Sequence, residues 1–204
     1  MRPRRYGDAG QAFPIYITVV GGLLFLAFAY FAVGQAGVNR NGAQTAADAA
    51  ALAAAQDTRD QLAGQWVEDV LDPAKWLDIF DGNLPGDGCW RAGQLAAQND
   101  ANLDECARTA PLRYTVAVQT NKSVGESIVP GTEALRAHAS ATAVIEPRCD
   151  FDPPAADVGP DVLPRLSCKG RDGDWERDWD LNPDDLDLDA LPKPEDLFDV
   201  HLAD

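Results

Sequence analysis

Nineteen consecutive residues without a charge, Ile15 to Val33 (IYITVVGGLLFLAFAYFAV), constrain this chain more than any other feature. As a helix rising about 1.5 Å per residue, they reach roughly 30 Å, the thickness of a bilayer's hydrocarbon core. Tyr16 and Tyr30 stand near the two ends, where headgroups suit a ring with a polar tip. Arg2, Arg4 and Arg5 precede the run against a single Asp8. That imbalance predicts a cytoplasmic N-terminus (1–14), a single membrane-spanning helix (15–33), and export of everything that follows. A cleaved secretory signal is the competing reading, with small-residue sites at Ala27-Phe28-Ala29 and Gly34-Gln35-Ala36. The run is longer than a usual signal core and no helix breaker precedes either site, which favours an uncleaved signal-anchor.

The cysteines fit an oxidising compartment. Cys89, Cys106, Cys149 and Cys168 all follow the apolar run and are even in number. Four cysteines allow three pairings, which the sequence cannot separate. Cys89–Cys106 with Cys149–Cys168 is preferred because each pair closes a short loop. No Cys-x-x-Cys occurs and neither histidine is near a cysteine in sequence, so disulfides are expected rather than a metal site.

The exported part reads as α+β. Ala43–Gln56 holds nine alanines, the residue that loses least in a helix. Leu62, Trp66 and Val70 then recur every four residues beside Ala63, Val67 and Leu71, extending an amphipathic helix to about Asp72, before Pro73. A second helix is expected from Cys89 or Trp90 to about Asn99. Two segments alternate with period two, Leu112–Gln119 and Leu135–Glu146, and read as half-buried strands. The second has a face of Ala137, Ala139, Ala141 and Ala143, so small that a helix backbone can approach closely. The alanine-rich helix is therefore expected to pack on a small antiparallel sheet, completing an exported domain over 34–149.

From Asp150 onward, 17 acidic residues face 5 basic ones, and seven of the fourteen prolines occur there. That composition predicts a disordered acidic Pro-rich tail over 150–204. Its large apolar residues, Trp175, Trp179, Leu197, Phe198 and Val200, are candidate docking anchors, either within the chain or on a partner. The run Asp172, Asp174, Glu176, Asp178, Asp180 does not make a calcium loop, since Arg177 stands where an EF-hand needs glycine. Neither His138 nor His201 belongs to a recognisable catalytic motif, and there is no Walker A pattern. No catalytic residue, cofactor or enzyme activity is expected, and a net charge of −16 argues against nucleic acid as a partner.

Three features in order carry a resemblance: Gly10-Gln11-Ala12 with Pro14, the apolar helix directly after it, and Gln44–Ala55 (QTAADAAALAAA) beyond the membrane. Together they resemble the TadE/TadG-like family of tight-adherence (Flp-type) pilus assembly proteins, over roughly residues 7–60. The resemblance implies a single-pass envelope protein, a minor pilin-like subunit or membrane component of pilus assembly. Its partners would be the lipid bilayer and other pilus-assembly or pilin-like membrane proteins. It does not extend to the prepilin cleavage pattern: the fifth residue after Gly7 is Ala12 and after Gly10 is Ile15, neither a glutamate. The alternative is a secreted or anchored extracellular binding module unrelated to pili.

Overall fold

The computed structural model describes residues 12–83, 86–123, 134–152, 163–170, 176–179 and 181–203. One helix, α1 (Ala12–Glu68), runs for 57 residues, about 85 Å at the standard rise. Pro14 lies in its first turn and the next proline is Pro73, so no residue between them lacks the N–H that a helix interior requires. It passes unbroken through Gly34, Gly37 and Gly42, where an added Cβ would meet nothing within 4 Å. Those glycines do not break the helix, and no other part of the described chain is seated on them.

Beyond α1 the chain turns through Pro73–Lys75 into the short α2 (Trp76–Phe80), then forms α3 (Cys89–Gln98). Three long antiparallel strands follow: β1 (Ala101–Ala110), β2 (Arg113–Ser123) and β3 (Arg136–Pro147). The remaining described strands are β4 (Cys149–Phe151), β5 (Leu166–Lys169), β6 (Glu176–Trp179) and β7 (Phe198–Leu202), the last preceded by α4 (Pro194–Leu197). They make two sheets, ordered β1-β2-β3-β7 and β4-β5-β6. This is the expected α+β domain, with the long helix laid across the larger sheet.

Ala43, Ala46, Ala47, Ala50, Ala51 and Ala54 of α1 are fully buried, as are Tyr114, Val116 and Val118 of β2 and Ala143 of β3. Spacing of three and four places these alanines on one helix face, and their lack of bulk lets the backbone lie close to the sheet. A polar latch fixes the register. Thr58 Oγ1 of α1 donates to the buried Tyr114 Oη at 2.8 Å, and the Gly88 N–H, just before α3, donates to the same oxygen at 3.3 Å. Helix, sheet and α3 therefore meet on one hydroxyl. Tyr114→Phe leaves two buried donors without their acceptor, and the expected cost is about 1–3 kcal/mol in denaturant unfolding.

At the far end of α1, aromatic rings stack in a chain. Trp66 lies 5.4 Å from Trp76, Trp76 5.3 Å from Phe151, Phe151 5.7 Å from Phe80, and Phe80 5.3 Å from Phe198. Asp69 locks the turn above them: its carbonyl accepts from Trp76 Nε1 at 3.1 Å and its carboxylate lies 2.7 Å from Lys75 Nζ. The hydrogen bond from Lys75, with help from Gln65, holds the Asp69 carboxyl below the usual carboxylate range. A carboxyl depressed on folding stabilises the fold above its unfolded-state pKa and loses that contribution as pH falls through the folded value. Asp69→Asn should therefore destabilise at pH 7 and flatten the acid side of a Tm-against-pH curve below about pH 4.

The expectation of a disordered tail over 150–204 fails for the described residues there. Cys149 pairs with Cys168 in register across β4 and β5, and β7 adds antiparallel to β3 from Phe198↔Pro147 to Leu202↔Ala143. Among the described residues, some of the prolines and polar groups that suggested disorder serve as turn chemistry. Pro183 and Pro194 sit in the first turn of short helices, while the Asn182 and Asp187 side chains accept from the N–H two residues on. Between them, Leu181, Leu191, Leu197 and Phe198 point into the core.

Candidate functional site

The chain's most unusual surface is the first half of α1. Phe13, Leu23, Phe28 and Tyr30 are 62–84% exposed, and no part of the described chain covers this stretch. A soluble domain does not leave so large a contiguous apolar surface bare. The helix is long and apolar enough to cross a membrane. Because the same helix continues as the core helix of the domain, whatever holds its first half also holds the sheet.

The structure brings the cysteines together as Cys89–Cys106 and Cys149–Cys168, with no free cysteine among the described residues. The first ties α3 to β1, the second β4 to β5. Asp87 lies near Cys89 and Cys106, but both sulfurs are spent on each other, so the trio offers no thiolate to a metal.

Of the candidate docking residues, those the structure describes dock within the chain to different degrees. Trp175 lies outside the described residues. Leu197 and Phe198 are 0% and 1% exposed, and Val200 packs against the same core from β7. Leu197, closing α4, and Phe198, opening β7, are therefore docked within the chain and closed to a partner, while Val200 is half-buried. Trp179 is half-buried in β6, with the Arg177 guanidinium 5.4 Å from its ring centre. It borders a cleft of about 240 Å³ in which Arg148, Lys169 and Arg177 face Glu195 and Asp196. Beyond the apolar run, the large apolar groups exposed among the described residues are Val38, Leu71, Leu77, Trp90, Leu135 and Leu188. Sequence patterning had placed Leu71 on the apolar helix face and Leu135 on the apolar strand face; each sits just beyond the end of its element.

The two histidines lie on the uncovered face of the larger sheet. His138 Nδ1 is 3.2 Å from Asp104, and its Nε2 is 2.8 Å from the Gln119 amide nitrogen. His201 lies 3.3 Å from Asp199 and 3.9 Å from Glu146. Among the described residues neither makes a hydrogen bond to a serine or cysteine. Of the acidic run, Asp172, Asp174 and Asp180 lie outside the described residues, while Asp178 accepts from the Ser167 hydroxyl at 2.7 Å.

Set against known families, residues 10–57 match the model described as "Putative Flp pilus-assembly TadE/G-like". The N-terminal segment is similar to that family. The matched stretch is the exposed apolar half of α1 together with its alanine-rich continuation under the sheet. The match, with the exposed apolar helix, supports a membrane-anchored protein with a role related to Flp pilus assembly. No curated protein and no solved structure matches the chain.

Proposed function

We propose that this chain is a membrane-anchored structural component of Flp-type pilus or secretion assembly, minor pilin-like, working by helix packing and partner docking without catalysis of its own. The carrying observation is a single helix that serves two solvents: bare and apolar over 13–33, buried under a sheet over 43–70. A rigid continuation of this kind transmits position: a partner packed on the apolar half orients the exported domain directly. The N-terminus is cytoplasmic and the disulfide-bonded domain extracytoplasmic, a reading supported by Arg2, Arg4 and Arg5 ahead of the anchor and by the two cysteine pairs beyond it.

Leu24→Arg tests this. An arginine at the midpoint of the span costs insertion about 3 kcal/mol. Membranes stripped with alkaline carbonate should retain the native chain and release most of the variant, and cells carrying only the variant should lose surface pili. Protease added outside should digest the domain but spare an N-terminal tag. A native chain released by carbonate, or found in the medium with a terminus after Ala29 or Ala36, would make it a secreted binding module instead.

A further inference from the structure

The membrane-facing end of the domain has a fixed height above the bilayer, and that height follows from one contact. Asn39 of α1 donates its side-chain N–H to the Ser123 carbonyl at the end of β2, at 3.1 Å. Asn39 lies six residues past Val33, or ~9 Å along a helix axis. The headgroup layer on each side of a bilayer is roughly 5–8 Å deep, the difference between its full thickness and its hydrocarbon core. Ser123 and its strand partner Arg136 therefore stand at the lipid surface, within reach of headgroups for a long side chain.

Three exposed cations gather at this end. Arg40 is exposed on α1, Lys122 on β2 and Arg136 on β3, with the exposed Leu135 beside them. Asp100, 3.0 Å from Lys122, offsets one of the three charges, and Arg136 makes only a long contact, 3.5 Å, to Gln119. At the opposite end of α1, residues 57–81 hold seven acids, Asp57 to Asp81, against Arg59 and Lys75. In a chain of net charge −16, three exposed cations next to the anchor, against two bases among nine charges over 57–81, set this end apart from the far end of the helix.

We propose that this membrane-proximal end is a contact surface for anionic lipid headgroups, with Arg40, Lys122 and Arg136 as the cations that meet their phosphates. The proposal rests on the anchor reading above and deepens it by naming a lipid class. Glu126 and Glu133 of the connection between β2 and β3 lie outside the described residues, and neither is used. The consequence is a domain held upright on its base as well as by its helix, because cations near an anionic surface add attraction that falls off within a Debye length.

The four lysines make the test direct, since Lys122 lies at the base and Lys169, in β5, beyond the far end of β3. The full chain is reconstituted in nanodiscs of phosphatidylcholine, with or without one-third phosphatidylglycerol, and acetylated by an N-hydroxysuccinimide ester. Peptide mass spectrometry then gives the labelling rate of Lys122 relative to Lys169. The expected result is a ratio lowered about fivefold by phosphatidylglycerol, restored by high salt, and largely restored by Arg40→Gln with Arg136→Gln. An equal ratio in the two lipids, with the chain inserted in both, overturns the headgroup surface and leaves the anchor standing. A chain that fails to enter either disc overturns both.

Discussion

Phe198→Ala should lower the unfolding free energy by about 3–5 kcal/mol, the loss that follows truncating a fully buried aromatic ring. The residue is 1% exposed and sits at three joints at once. Its ring, the last in the aromatic chain that begins at Trp66, lies 5.3 Å from Phe80. Its backbone opens β7, opposite Pro147 at the end of β3, and Leu197 before it is likewise buried. The cavity left by alanine would therefore open between α2, the end of α1 and the edge of the main sheet. Tryptophan fluorescence in urea, on the full chain in detergent, reads the change directly because Trp66 and Trp76 belong to the same cluster. Leu188→Ala is the control: that residue is 64% exposed and its change should stay within about 0.5 kcal/mol. If Phe198→Ala unfolds no earlier than Leu188→Ala, the C-terminal strand is not part of the domain.

That experiment touches the place where sequence and structure part. The apolar run, the alanine-rich helix, α3 and the two central strands are legible because each is local. Charge absence, three-and-four spacing and period-two alternation report on residues close together in the chain. β1 was missed because an edge strand needs no clean alternation: Asp104 and Glu105 fall at a register shift, and only one face of the strand is covered. β7 was missed because its reason for existing is remote. Asp199, Val200 and His201 become a strand only because β3, some fifty residues earlier, offers an unpaired edge, and an acid-rich composition is the same whether such a segment pairs or wanders. The site divides in the same way. The anchor could be read from composition, whereas the three cations beside it could not, since Arg40, Lys122 and Arg136 meet only when Asn39 is tied to the end of β2.

The second large effect concerns a residue with no side chain. Gly88 precedes α3, and a Cβ built on it would lie 2.1 Å from the Ala54 carbonyl oxygen and 2.9 Å from the Ala54 Cα. Both contacts are helix backbone in the middle of α1, which cannot swing aside as a flexible side chain would. The backbone at Gly88 has φ −76°, which any residue adopts, so the requirement is for space alone. The approach is tight because two functions converge there: the Gly88 N–H reaches Tyr114, and Cys89 next to it must reach Cys106. Gly88→Val forces α3 away from α1 and strains both links together. The expected loss is about 3 kcal/mol or more, above the usual overpacking cost because rigid backbone must move. Gly64, whose added Cβ would meet nothing within 4 Å, supplies the contrast. Gly64→Ala, within α1, should stabilise by roughly 0.5–1 kcal/mol through helix propensity. Opposite signs for the two glycines in thermal unfolding would show that α3 is held by contact with the α1 backbone, and that this seat, more than glycine's freedom, is what position 88 provides.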